Sequence, residues 1–221
     1  MGNLMNTEGE QYWEMRPLND ERKDWRNGGE NWVEEYVRSK DHPHRQLIVN
    51  ALKHFKPFES VFEIGCNAGP NLARIHELYP NVRLAGIDAS YHAARYADDL
   101  VPTAEIRVGS MYELPFDNKE FDVGLTDAVL LYADPKEALK ALTELKRVTR
   151  LGLILVEWFS ETDEVKDHHW ARNYPEILKR FGYEMVEERR LTEADWPTKK
   201  WQEHGRLFVF QVPSKTSKKN S

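Results

Sequence analysis

Four short runs of this sequence put glycine or a carboxylate where an apolar strand should end. The first is Glu63-Ile-Gly-Cys-Asn-Ala-Gly69. Gly65 and Gly69 let the backbone approach a ligand closely, and the helix expected after them offers free amide groups. The carboxylate of Glu63 would repel phosphate and suits a ligand with a positively charged amino group. The second is Asp88, nineteen residues after Gly69 and followed by Ala89. A carboxylate at that strand end can accept both hydroxyls of a ribose. The third, Gly109-Ser110-Met111, presents amides and a hydroxyl to a purine edge, with Met111 against its face. The fourth is Thr126-Asp127-Ala128, where the reactive end of such a ligand should lie.

Other reactive side chains carry weaker cases. Cys66 reads as a small packed residue of the turn rather than a nucleophile. His42 and His44 have ligand-like spacing but no third partner nearby, so no metal is expected. Arg45 opens a helix, where it either pairs with a ligand carboxylate or lies on the surface. His168 and His169 follow the fifth strand and are the candidates for a proton acceptor, against the alternative of a solvated loop. Trp158, Trp170, Trp196 and Trp201 crowd one C-terminal region. They either pack a lid and edge strands or line an amphipathic pocket.

The elements that must hold these residues alternate. Apolar stripes predict helices over 30–40 and from Pro43 to Pro57. Strands are expected over 61–64, 82–87, 105–108, 121–126 and 153–157, with helices over 71–78, 90–99 and 135–150 between them. Asp134 caps the last of these, Pro135 suits its first turn, and Gly152 marks its end. A helix over 171–181 and strands over 183–191 and 206–212 follow. The two late strands, with no helix between them, imply an antiparallel edge, and the charged run 184–190 is its wet side. The pattern is that of a single-domain, doubly wound α/β fold: a Rossmann-like, mostly parallel seven-stranded sheet with helices on both faces and a helical N-terminal extension. Residues 1–56 read as arm and cap helices, 57–213 as the core and 214–221 as a disordered tail.

Composition narrows the function classes. Hydrophobic residues make up 40% of 221, which excludes general disorder. The 31 basic and 37 acidic residues leave a charge of −6, which does not favour nucleic acid or anionic membrane. Cys66 is the one cysteine, so neither an intramolecular disulfide nor a cysteine-based metal site can form. Neither a signal-peptide pattern nor an apolar run of about 18 residues is present, and a cytoplasmic location is expected.

The runs VFEIGCNAGPNL (61–72), LAGIDAS (84–90), VGSMYELPF (108–116), FDVGLTDAVLLY (121–132) and PKEALKALTELKRVTRLGLILVEW (135–158) together resemble the class I S-adenosylmethionine-dependent methyltransferases, closest to their type 11-like, small-molecule branch. The resemblance spans residues 45–212. It implies a cofactor, S-adenosylmethionine, whose methionine portion lies by Glu63, Gly65, Cys66, Asn67 and Gly69. It also implies ribose on Asp88 and Ala89, adenine between Ser110 and Met111, and the sulfonium near Asp127 and Ala128. Asn67 replaces the family's middle glycine, and asparagine is the side chain that best tolerates a left-handed backbone. The expected activity is methyl transfer to an oxygen or nitrogen of a small molecule, a sugar or glycan precursor among them. An RNA or protein methyltransferase and a non-catalytic binding module are the alternatives. A nicotinamide-dependent oxidoreductase is disfavoured because the Gly-x-Gly-x-x-Gly turn is absent.

Overall fold

The computed structural model describes residues 8–18, 31–166 and 169–213. The tail expected to be disordered and His168 lie outside the described residues. Three helices come first, α1 (Glu8–Met15), α2 (Trp32–Arg38) and α3 (Pro43–Ala51). The alternating core follows: β1 (Ser60–Ile64), α4 (Pro70–Leu78), β2 (Arg83–Asp88), α5 (Tyr91–Leu100), β3 (Glu105–Val108), β4 (Phe121–Asp127), α6 (Pro135–Val148) and β5 (Thr149–Trp158). The C-terminal part adds β6 (Glu164–Lys166), β7 (His169–Ala171), α7 (Tyr174–Arg180), β8 (Glu184–Arg190), α8 (Lys199–His204) and β9 (Gly205–Gln211).

Seven strands form one sheet in the order β3-β2-β1-β4-β5-β9-β8. The five strands β1 to β5 run parallel, while β9 pairs antiparallel with both β5 and β8. Alternation of side chains along the strands separates two cores. Val61, Val123, Leu125, Ile154 and Val156 pack with Ile48 of α3, Leu52 just after it and Leu72 of α4. On the opposite face Phe62, Ile64, Leu153 and Leu155 meet Leu142 and Leu145 of α6 and Leu178 of α7. Burial on both faces is why these strands are almost continuously apolar. A smaller cluster of Trp32, Val33, Ala68 and Ala93, joined by Trp13, seats α2 against the turn after β1. Strand order reverses between β1 and β4, so the carboxyl ends of β1, β2, β4 and β5 open onto one crevice.

Several boundaries differ from expectation for local reasons. Helix α6 has the expected capping box, with Glu137 N donating to Asp134 Oδ1 at 2.7 Å. It ends at Val148, however, and Gly152 lies inside β5, where a Cβ would come within 2.0 Å of the Phe210 carbonyl oxygen. Gly152 thus permits close strand contact and is not a helix stop. The helix expected from Ala171 starts at Tyr174, capped by Asn173, because His169–Ala171 pair antiparallel with Glu164–Lys166 as strands β7 and β6. A short helix, α8, does intervene between β8 and β9, although the antiparallel edge forms as expected. The charged run of β8 lies at that edge, largely exposed.

Candidate active site

The turn from β1 into α4 is built on left-handed residues: Gly65 (φ 63°), Asn67 (φ 49°) and Gly69 (φ 77°). Asn67 takes the position expected of it, and its Oδ1 accepts from Ala68 N at 2.8 Å. Gly65 has no room for a side chain, since a Cβ would meet Val129 Cγ2 at 2.4 Å. Cys66 is buried and not part of the cavity lining, with its sulfur 2.7 Å from where a Cβ on Gly86 would stand. Burial pushes its thiol well above the usual range, consistent with a packing role.

Asp88 fastens this turn to the next strand. Its Oδ2 accepts from Asn67 N and its Oδ1 from Ser90 N, both at 2.8 Å. Burial raises the carboxyl to about 6, against the pull of those two amides. Asp88 and Ala89 line a cavity of about 550 Å³ that also meets Gly65, Asn67, Gly109, Met111, Asp127 and Ala128. Ser110 is not part of this lining; its Oγ accepts from Tyr112 N at 3.1 Å and shapes the loop.

Behind Asp127 stands a buried polar network that sequence reading did not assemble. Asp127 Oδ2 accepts from His44 Nε2 at 2.9 Å, Asn71 Nδ2 at 3.0 Å and Arg45 Nη1 at 3.2 Å. Burial alone would raise this carboxyl, but His44, Arg45 and Asn71 hold it well below the usual carboxylate range. Asn71 Nδ2 also donates to Glu63 Oε1 at 2.6 Å, and its Oδ1 accepts from Arg45 Nη1 at 2.6 Å. Glu63 is pushed well above its usual pKa, first by burial. Arg45 is neither on the surface nor among the residues lining the cavity; it is buried behind the wall with Glu63. Glu63 Oε2 and Asp127 Oδ1 are buried without a hydrogen-bond partner. His42 contacts His44 through their Nδ1 atoms, and no group of side chains suited to a metal ion occurs among the described residues.

The loop after β4 is clamped from both ends of its peptide groups. Glu157, buried at the end of β5, accepts from Thr126 Oγ1 and from the amides of Val129, Leu130 and Leu131 at 2.7–3.2 Å. Burial places its carboxyl at about 7 despite these donors. Arg172, also buried, donates to the carbonyls of Leu130 at 2.8 Å and Ala133 at 2.6 Å. The clamp fixes Ala128 (φ 59°), Val129, Leu131 and Tyr132, all of which line the cavity.

The rest of the lining is aromatic. Trp158, Trp196 and Trp201 take part, so three of the four C-terminal tryptophans line the pocket, and Trp13, Tyr36 and Tyr132 join them. Trp196 stacks on Trp201 (3.9 Å, 9°) and meets His44 at a tilt (4.1 Å, 30°). His169 also lines the cavity, with ring centroids 5.0 Å from Tyr132 and 5.2 Å from Trp158.

Comparison with known proteins agrees with this architecture. A family model described as a methyltransferase domain matches residues 61–152. An uncharacterized methyltransferase of Schizosaccharomyces pombe is 29% identical over 112 residues, which are 46% of this chain and 40% of that protein. The chain therefore spans less than half the length of the curated relative it matches. Among solved structures, magnesium protoporphyrin IX methyltransferase from Synechocystis PCC 6803 with bound S-adenosylmethionine superposes with a TM-score of 0.69 at 15% identity, covering 96% of this chain and 99% of that one. A methyltransferase of Haloferax volcanii, solved in complex with the Trm112 methyltransferase activator, gives 0.62 at 19% identity over 82% and 95% of the two chains. A methyltransferase-domain model thus accounts for residues 61–152, and the fold is that of solved methyltransferases.

Proposed function

We propose that the protein transfers a methyl group from S-adenosylmethionine to an oxygen or nitrogen of a small molecule, sugar precursors included. The observation that carries this reading is the continuity of one cavity from Asp88 and Gly65 to the aromatic wall of Trp158, Trp196 and Trp201. Its volume of about 550 Å³ falls in the range of small-molecule sites, roughly 300–1,000 Å³. The wall residues come from both the strand ends and the flanking segments, which supports a cofactor half and an acceptor half.

The residues present fit the cofactor. Asp88 borders the cavity with a carboxylate whose known partners are two amides, leaving acceptor capacity for ribose hydroxyls. Asp127 Oδ1 is a buried acceptor without a partner in the wall, suited to an ammonium group; Glu63 acts on it through Asn71. Gly65 and Gly109 leave backbone uncovered, and Met111 supplies an apolar contact for a purine. When bound, S-adenosylmethionine supplies a methyl group on a positive sulfur that leaves as a neutral thioether upon in-line attack. The chain's task is then orientation and exclusion of water. The clamped loop holds one wall in place, and the tryptophans keep the acceptor end dry. A ring nitrogen of His169 accepts the proton of a protonated acceptor. α1 and α2, with 159–166, 169–175 and 192–203, close the acceptor side in this reading.

Calorimetric titration with S-adenosylhomocysteine, with NADH as the parallel ligand, tests the proposal. Micromolar binding of the first and none of the second is expected, followed by turnover in a screen of small hydroxyl and amine acceptors. Failure of both ligands to bind would sink the methyl-transfer reading.

A further inference from the structure

Helix α1 puts two side chains into the cavity wall, Glu10 and, three residues on and so on the same face, Trp13. Aromatic contacts pin the helix there. Trp13 meets Tyr132 edge-on at 5.5 Å and Trp32 of α2 at 5.5 Å. The buried guanidinium of Arg16 lies over Trp13 and Trp32 at 5.1 and 4.6 Å. The Trp32 Nε1–H donates to the Pro17 carbonyl at 3.0 Å and ties the segment after α1 to α2. Asn31, which caps α2, donates in turn to the Tyr96 hydroxyl of α5 at 2.9 Å. Packing thus fixes where Glu10 stands.

Glu10 Oε1 is buried without a hydrogen-bond partner. A carboxylate oxygen shut away from water and left unpaired is costly, and a donor on a ligand would remove that cost. Its neighbours indicate which part of the ligand this is. Burial raises the Asp88 carboxyl first, and the charge of Glu10 adds to the rise. The Tyr112 hydroxyl is raised by burial, then by Glu137 and then by Glu10. Glu137, in the first turn of α6 and raised first by burial, also feels Glu10. With its place in the lining, these contacts put Glu10 beside the end of β2 and the loop after β3, which are adjoining strands. Tyr112 and Glu137 draw it past Asp88 toward Gly109 and Met111, where the purine of the cofactor would lie.

The other polar side chains of the wall are engaged or stand elsewhere. Each Asp88 oxygen already accepts an amide, and its remaining capacity falls to ribose. Asn67 Oδ1 accepts from Ala68 N, and Tyr112 bonds to Glu137. Ser110, expected at the purine edge, is not in the lining. Asp127 ends β4, two places from β2 in the sheet. Thr198, Lys199, Lys200 and His169 belong to segments after β5, which is three places from β2. The phenols of Tyr36 and Tyr132 are neutral and weaker acceptors than a carboxylate. We infer, resting on the methyl-transfer reading above, that Glu10 reads the base of the cofactor, its buried Oε1 accepting from the exocyclic amino group of the purine. A base with a carbonyl in place of the amine would set oxygen against carboxylate and be rejected.

Calorimetry on the full chain tests this with S-adenosylhomocysteine, S-inosylhomocysteine, which carries that carbonyl, and the deoxyribose analogue of the first. The natural protein should prefer the adenine ligand over the hypoxanthine ligand by about tenfold or more, the scale of one charge-assisted hydrogen bond. In Glu10→Gln the side-chain amide can donate to the carbonyl as well as accept from the amine, and the preference should fall to within about threefold. The deoxyribose ligand should lose the same factor in both proteins, because Glu10 does not touch the sugar. Each ratio is taken on one protein, so a variant with a loosened α1 still reports on the base. Equal affinity of the natural protein for the two bases, a preference that persists in Glu10→Gln, or a deoxyribose penalty that vanishes in Glu10→Gln would each overturn the inference. All three leave S-adenosylhomocysteine binding, and the methyl-transfer reading, in place. Failure of S-adenosylhomocysteine to bind the natural protein would remove that reading and this one with it.

Discussion

Asp88 has one carboxylate for two tasks, tying the turn after β1 to β2 and facing the cavity. Asp88→Ala should weaken S-adenosylhomocysteine binding by about 1–3 kcal/mol through loss of charge-assisted bonds; unchanged affinity by calorimetry would remove Asp88 from the site. Its raised carboxyl, at about 6, adds a pH dependence with a definite sign. Protonation removes the charged acceptor, so affinity should be full above pH 6 and decline below it. A group titrating at 6 predicts about a tenfold weaker Kd at pH 5 than at pH 7. Titrations of Asp88→Asn at the two pH values should show that gap closed; a gap of the same size would assign the effect elsewhere. His169 stands where the aromatic sides of the cavity meet. His169→Ala should lower kcat by about 10²-fold or more while leaving cofactor affinity within about twofold, the signature of a lost proton acceptor. Equal turnover across the pH range would dismiss that role.

At the scale of elements, the turn after β1 and the loop after β4 are built to touch. Gly65→Ala would meet Val129 and force alanine into a left-handed backbone. A stability loss of about 1–3 kcal/mol is expected, with cofactor affinity reduced as well. Adding Val129→Ala should recover only the part due to the collision, and full recovery in thermal unfolding would show that the backbone conformation carries no cost. These contacts explain what the sequence disclosed. The turns at 63–69 and 88–89 were readable because glycine or a carboxylate closes an apolar run, that at 109–111 because Gly109 follows the alternating Glu105–Val108, and even the left-handed Asn67 follows from local conformational preference. His44 was not readable as a partner of Asp127, because 83 residues separate them and the pair exists only once α3 packs beside β4. Glu157 and Arg172 were missed for the same reason: their partners are backbone groups of a loop, which leave no mark on residue type. Gly152 misled because a close strand approach and a helix end call for the same residue. The short α8 had too few residues to show a period.

Across the whole molecule, two cores pack on either side of one sheet, and the crevice at its strand ends is held by buried polar groups such as Glu63, Asn71, Glu157 and Arg172. This arrangement gives the Glu157–Arg172 clamp a consequence for motion. A single 3-10 turn such as Leu130–Tyr132, bordering a binding cavity, would ordinarily open by itself, with little of the protein's stability spent in doing so. Here, lifting residues 129–131 away would abandon a buried carboxylate and a buried guanidinium together, at a cost of several kcal/mol. The loop is thus tied to the fate of the whole sheet. In hydrogen–deuterium exchange, the amides of Val129, Leu130 and Leu131 should be as slow as those at the centre of β4 and β5, and should quicken only in denaturant that unfolds the protein. Fast exchange at these three amides under native conditions would mean that the loop opens alone. If they are slow, ligands enter past the flanking aromatic segments, and the wall after β4 stays closed throughout the catalytic cycle.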